Sequence, residues 1–440
     1  MYSNRQIWDV SFPIFLGLLA QNVINVTDTA FLGRVGEIEL GASAMGGLYY
    51  ICAFTIAFGF STGSQIVIAR RNGEGCYERI GAVMLQGCMF LLLLAAVLFG
   101  LSRFFVEDVM RVLVSSDAIF QASVDFLNWR VLGFFFSFLT LMFRALFVGI
   151  TRTKVLTLNA VVMAVTNVLL DYLLIFGHAG LPRMGLEGAA IASVIAEAFS
   201  FLFFLIYTRV AVNRRKYALD RFHSFDFKLL WKVLSISVFM MLQYFLSFVT
   251  WFMFFIAVEH LGQRQLAIAN IIRSIYVFMM VPMNALATTT NTFVSNSMGA
   301  GEVDQVIPII KRICKLSFGF MVIFALFVCT FPKLVMAVYT PDTSLAADSV
   351  LSVYVVATAL LIGSMGSVAF NGVSGTGNTR AALMMEIVIL FFYALFVYIV
   401  GMRLRLPVGI CFMSEVIYFG GLLLASILYL RRGTWRNKRV

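Results

Sequence analysis

The sequence predicts an all-α integral membrane protein in which twelve transmembrane helices form two pseudosymmetric six-helix lobes. Composition is the first observation behind this: 61% of the residues are hydrophobic and only 12% charged, against roughly half and a quarter in soluble domains. A soluble core cannot hide so much apolar surface. Length is the second. A spanning helix needs on the order of 20 mostly apolar residues, so 440 residues with short connections hold about twelve spans and leave no room for a soluble domain. The third is an internal repeat. Gly36-x-x-x-Leu40 returns as Gly262-x-x-x-Leu266, Asn72-Gly73-Glu74-Gly75 as Met298-Gly299-Ala300-Gly301, and Gly149-x-Thr151-x-Thr153-Lys154 as Gly375-x-Gly377-x-Thr379-Arg380, always 226 residues apart. Six spans per copy is an even number, so both copies enter the bilayer in the same orientation. That arrangement is a parallel repeat about an axis along the membrane normal, with a cleft between the halves at mid-membrane.

The spans run, in chain order, over 10–32, 42–69, 81–101, 122–148, 155–177 and 187–208, and then over 229–258, 266–296, 312–331, 348–373, 381–401 and 407–430. Span 1 follows a short polar start, Met1 to Asp9; span 2 closes on Arg70 and Arg71; span 4 closes on Gly149; span 6 gives way to a basic segment at Arg209. Their lengths favour helices, and the absence of ten-residue alternating segments argues against an outer-membrane barrel. The expected organisation is an amino-terminal lobe at 1–210, a cytoplasmic linker at 211–228 and a carboxy-terminal lobe at 229–440. Span 1 carries an aspartate and no small-residue cleavage site, so no removable signal peptide is expected.

The net charge of +11 is distributed as membrane topology requires. Twenty Lys and Arg fall in connections on one side (Arg70, Arg71, Arg79, Arg152, Lys154, seven from Arg209 to Lys232, Lys311, Arg312, Arg380 and five after Leu430) and eight on the other (Arg34, Arg103, Arg111, Arg183, Arg264, Lys333, Arg403, Arg405). The richer side is cytoplasmic by the positive-inside rule. Both termini then face the cytoplasm, as an even number of spans requires, and the basic Arg209 to Lys232 segment reads as a linker touching anionic headgroups rather than as a nucleic-acid site. Six scattered cysteines without a C-x-x-C, and three histidines (His178, His223, His260) in connections, indicate neither a disulfide framework nor a metal centre. We expect a monomer with no cofactor.

Ionisable groups inside spans are expensive and need a reason. Asp28 lies late in span 1, where Gln21, Asn25 and Asp28 share one helical face. Asp171 lies in span 5, with Asn167 one turn before it. A carboxyl held in low dielectric is driven toward its neutral form and can load and release a proton; the bland alternative is a pair of hydrogen-bonded structural aspartates. Pro13, in the same helix as Asp28, weakens the local ladder and suits a mobile kink, although a proline near a membrane helix end is often only punctuation. Arg130, Arg144, Glu197, Arg273, Glu386 and Glu415 have no identical counterparts at the repeat offset; Arg144 reads as snorkelling, and Arg273 as a residue that lines the cleft or pairs with a carboxylate. Among the aromatic and Met side chains of spans 7 and 8, Met240 and Tyr276 are candidate cleft residues in an apolar cavity suited to varied amphipaths, with packing the commoner role for any one of them. No G-x-x-x-x-G-K-[ST], H-E-x-x-H or G-x-S-x-G motif occurs, so no enzyme is indicated and ATP is not the driver within this chain; an ion gradient remains.

These residues resemble the MATE family, multidrug and toxic compound extrusion transporters. The likeness is carried by Pro13 to Gly33 with its ending Asp28-Thr29-Ala30-Phe31-Leu32-Gly33, by Gly149 to Lys154 and its repeat Asn371-Gly372 to Arg380, and by Asn167 to Gly177. The resemblance implies twelve helices in two lobes and export of amphipathic, mostly cationic organic compounds in exchange for protons or sodium. It further implies an amino-lobe ion site at Asp28, Asn167, Asp171 and the hydroxyl of Ser193. Two carboxylates, an amide and a hydroxyl offer oxygens for Na+ at Asp28, Asn167 and Asp171, while the same carboxylates suit H+. Where a sodium-coupled branch carries a helix-7 glutamate this chain has Gln243, which favours H+ and argues against coupling through the carboxyl lobe; Tyr172 replaces the usual proline after Asp171. A flippase for lipid-linked substrates is the alternative within the superfamily, and it calls for a more cationic cavity.

Overall fold

The computed structural model describes residues 2–221, 224–337 and 343–438; His223 lies outside them. Among the described residues, twelve helices are long and apolar enough to cross a membrane: α1 Asn4–Val35, α2 Glu37–Gly73, α3 Glu78–Leu113, α4 Asp117–Gly149, α5 Lys154–Phe176, α6 Gly185–Ala211, α7 Phe227–Glu259, α8 Gln263–Gly299, α9 Val303–Thr330, α10 Thr343–Gly375, α11 Thr379–Arg403 and α12 Val408–Arg432. Most outrun the apolar segments by a turn or more, because backbone hydrogen bonding continues into the flanking polar residues. Four are irregular. A 3-10 turn, Val131–Gly133, interrupts α4; another, Val303–Gln305, opens α9; α11 ends in a π-turn at Tyr398–Arg403; and α12 breaks at Phe412.

The repeat is visible in the backbone. Helices α2 and α8 are each 37 residues long. Each starts just after a glycine, Gly36 or Gly262, and is followed by a left-handed glycine at φ +72° (Gly75) or +76° (Gly301). The hinge after α4 places Thr151 at φ 60°, and the matching position after α10 is Gly377 at φ 87°. A β-branched residue pays more than glycine for that region.

The chain forms two compact units, Phe12–Met241 and the remainder, comprising the stretch up to Ser11 and the chain from Leu242 onward. In the amino unit α4 packs against α2, α3 and α6. In the carboxyl unit α10 takes the same part, against α8, α9 and α12. The units differ from the expected 1–210 and 229–440 at both ends. The start of α7 packs with the amino unit: added Cβ atoms on Gly59 and Gly63 would strike the backbone of Met241 and Ser237, and Ser237 Oγ donates to the Phe60 carbonyl at 3.3 Å. The start of α1 packs with the carboxyl unit, where Tyr2 stacks on Phe293 with ring centroids 4.0 Å apart and its carbonyl accepts from Arg312 at 2.6 Å. These contacts between small residues and backbone come from three-dimensional packing, which hydropathy does not report.

Candidate functional site

The polar stripe of α1 is exposed at Gln21 and Asn25 and becomes half-buried at Asp28. Nearby Thr27 and Thr29 spend their hydroxyls on the carbonyls four residues back. Helix α5 lies alongside. Its Asn167 is 1% exposed and Asp171 is fully buried. Carboxylates only accept, so the Asn167 amide turns its nitrogen toward them and donates to Asp28 Oδ1 at 3.0 Å and Asp171 Oδ2 at 3.2 Å. Asn167 thus brings the two carboxyls to one donor. Asp171 Oδ1 is buried without a partner. Two carboxyls around one amide, with no salt bridge to either among the described residues, make an arrangement that accommodates one positive charge. Thr157 of α5 donates to the Pro13 carbonyl at 3.3 Å, so α1 is tied to α5 beside the proline as well as at Asp28. Ser193 is half-buried on α6 and has no hydrogen bond to either aspartate.

A second polar cluster fills the amino unit. Arg130 of α4 grips Glu197 of α6 through two bonds of 2.7 and 3.0 Å, and its guanidinium stands 3.6 Å from the centroid of Tyr50 on α2. The Tyr50 hydroxyl reaches Glu197 at 3.0 Å and Ser137 at 2.8 Å. An added Cβ on Gly133 would collide with both Glu197 and Arg130. The 3-10 turn therefore has glycine where the ion pair needs room.

The carboxyl unit repeats half of this. Tyr276, 226 residues after Tyr50, donates to Glu415 at 2.9 Å, and Tyr393 donates to the other Glu415 oxygen at 3.0 Å. Arg273 stacks over Phe255 at 5.3 Å and, with Tyr276, Trp251, Phe254, Phe412 and Glu415, lines a cavity of about 10 Å³, roughly one water. Glu386 accepts from Ser247 and Tyr418, both at 2.7 Å. Gln243 is 6% exposed with its Oε1 unpartnered. Met240 is fully buried in the crossing of α7 over Gly59, and Arg144 lies 5.1 Å from the Phe58 ring. The Tyr50 and Tyr276 match was open to sequence reading at the repeat offset. Glu197 and Glu415 are 218 apart; the connection before α6 is eight residues and that before α12 four, which accounts for part of the departure from 226, and Glu415 also lies nearer the start of its helix, so the second match is hidden at the repeat offset. Among the described residues, no group of three or more His, Cys, Asp or Glu is placed to hold a metal ion.

Comparison with known proteins agrees with this architecture. The MatE family model matches residues 13–173 and 236–399. The chain belongs to the MatE family of membrane transporters. It is 29% identical over 231 residues to a probable multidrug resistance protein NorM of Agrobacterium fabrum, covering 52% of this chain and 49% of that one. It is 25% identical over 308 residues to a probable multidrug resistance protein YoeA of Bacillus subtilis, covering 68% and 65%. The chain thus spans about half to two thirds of the length of these relatives. Among solved structures, an outward-facing multidrug resistance MATE transporter superposes with a TM-score of 0.89 at 18% identity, covering 98% of this chain and 96% of that one. The bent form of the Vibrio cholerae MATE transporter VcmN superposes with 0.84 at 19% identity, covering 99% and 98%. At these identities the likeness concerns the fold.

Proposed function

We propose that the protein is a proton-coupled antiporter of the inner membrane that exports amphipathic, cationic organic compounds, with both termini in the cytoplasm. The observation that carries this reading is the Asp28–Asn167–Asp171 cluster: two carboxyls sharing one amide donor in an apolar helix pair. With the site empty of cations, two negative charges face each other across Asn167, an expensive state in low dielectric. One proton removes that repulsion. Antiport follows if proton and substrate favour opposite conformations or compete for the pair, since a ligand with equal affinity for both states drives nothing. The acidic character of the cluster suits cationic cargo and disfavours a phosphate-bearing flippase substrate, and the relatives named as probable multidrug resistance proteins support the same direction. Gln243 in place of a glutamate on α7 favours H+ over Na+ as the driving ion.

The test is transport in proteoliposomes. An imposed pH gradient without sodium should move a fluorescent organic cation, and Asp28→Asn and Asp171→Asn should each abolish that movement while leaving folding and insertion intact, because the amide keeps shape but does not titrate. Transport that requires a sodium gradient and ignores pH sinks the proton assignment. Near-normal export by either mutant removes that aspartate from the mechanism.

A further inference from the structure

One rim of the carboxyl unit, where α7 ends at Glu259, α8 begins at Gln263, α11 ends at Arg403 and α12 begins at Val408, holds a cavity of about 230 Å³. It is lined by His260, Leu261, Gln265, Arg405, Leu406 and Pro407. Glu259, Arg264, Arg403 and Arg405 are all exposed here, and charges avoid hydrocarbon, so the rim stands at headgroup depth. The lining has donors and no carboxylate. His260 Nδ1 donates to the Ile256 carbonyl at 2.8 Å, which leaves Nε2 unbonded. Gln265 Oε1 accepts from the Val408 N–H at 2.9 Å, which leaves both hydrogens of its Nε2 without an acceptor. Arg405 has neither a hydrogen bond nor an ion pair among the described residues. The neighbouring charges are engaged: Arg264 pairs with Asp348 at 2.6 Å, and Arg403 donates to the Tyr398 hydroxyl at 3.0 Å. Glu259 does not line the cavity. The backbone adds an independent observation. The Leu404 and Leu406 N–H groups donate to the Ile399 and Val400 carbonyls at 2.9 and 3.1 Å, closing α11 with Arg405 at φ 50°. A left-handed residue after a helix is usually glycine, as Gly177 and Gly433 are after α5 and α12. Here the strained position carries an arginine in the cavity wall.

We propose that this cavity is a binding site for one phosphate group. Arg405 supplies the permanent charge, Gln265 Nε2 and the His260 ring supply further donors, and Leu261, Leu406 and Pro407 form an apolar wall for whatever the phosphate is attached to. A guanidinium fork matches two oxygens of one anion. The tetrahedral phosphate has further oxygens for the amide and the imidazole, whereas a planar carboxylate is already answered by the guanidinium alone. At headgroup depth the abundant source of this chemistry is the phosphodiester of a phospholipid, whose glycerol and chains lie along the apolar wall. Free phosphate offers the same oxygens and leaves that wall uncovered, so the lipid is the occupant the site fits best.

The test is native mass spectrometry of the whole delipidated protein in detergent, titrated with phosphatidylglycerol, with diacylglycerol and with inorganic phosphate. Arg405→Gly removes the guanidinium and relieves the backbone, so it should weaken binding of the first phosphatidylglycerol about tenfold or more, the worth of one charge-assisted bond, without lowering resistance to sodium dodecyl sulfate. Gln265→Glu keeps an oxygen for the Val408 N–H and brings a negative charge to the cavity, and it should weaken the same binding at least as much. Diacylglycerol, which has no phosphate, should bind wild type and variants alike. Displacement of the first phosphatidylglycerol by millimolar inorganic phosphate, in wild type and not in the variants, assigns free phosphate as the ligand; indifference to it assigns the lipid. Equal phosphatidylglycerol affinity in wild type and both variants, or an equal loss of diacylglycerol, overturns the proposal. Binding is read without transport, so the outcome does not depend on the ion-coupled reading.

Discussion

The Arg130–Glu197 pair offers the sharpest test of what holds the amino unit together. The side chains are only 14% and 6% exposed, so water cannot replace a lost partner. Arg130→Met deletes two charge-assisted bonds and a close cation–π contact and strands a buried carboxylate on Tyr50 alone. Removing one partner of such a pair costs about 3–5 kcal/mol. Glu197→Gln keeps the shape and the Tyr50 contact but leaves a buried guanidinium facing an amide, and should fall in the lower part of that range. The double change Arg130→Met/Glu197→Leu leaves no buried charge, and apolar replacement of a whole pair is often near neutral, so it should recover at least about 2 kcal/mol relative to the worse single mutant. Unfolding by sodium dodecyl sulfate in mixed micelles, followed by loss of helical circular dichroism, gives the three free-energy differences. Additivity of the two single losses in the double mutant would refute the reasoning, because it would mean that the charges do not depend on one another.

Gly133→Ala should destabilise by about 1–3 kcal/mol in the same assay, because its methyl group enters the space of the ion pair. Thr151→Gly should stabilise by about 1 kcal/mol by relieving a β-branched residue at φ 60°, and Gly377→Thr should cost a similar amount. Gln243→Ala should retain most drug resistance in a sensitive host at equal expression, since the residue carries no charge, whereas loss of resistance with active aspartate mutants would move the primary site to the carboxyl unit.

Much of the fold is legible in the sequence because lipid imposes simple rules. Spans are long and apolar, and the glycines that end α2 and α8 recur at a fixed offset. The grouping of Asp28, Asn167 and Asp171 is legible for the same reason: polar groups at that depth must meet one another. The register of α6 against α12 is not, because the connections before them differ in length. Nor are the roles of Glu197, Glu386 and Glu415, which look alike in sequence and are set apart by whether an arginine, two tyrosines or a serine and a tyrosine on one oxygen face each carboxyl. Likewise, a hydropathy profile places the boundary between halves in the basic linker, while side-chain packing places it within α1 and α7.

That last difference bears on how the protein is made. Residues up to Ser11 are synthesised before the amino unit yet belong to the unit that follows it, and the opening turns of α7, through Met241, are synthesised after the linker yet seat against Gly59 and Gly63. The amino half therefore leaves the ribosome with a bare glycine face and an unplaced leading segment, and it cannot finish packing until the next helix has emerged. Neither half is a self-sufficient module. Cutting the chain in the linker should yield fragments that are unstable apart and complement each other when made together, and trimming the first ten residues should damage the distant carboxyl half rather than the one to which they are joined.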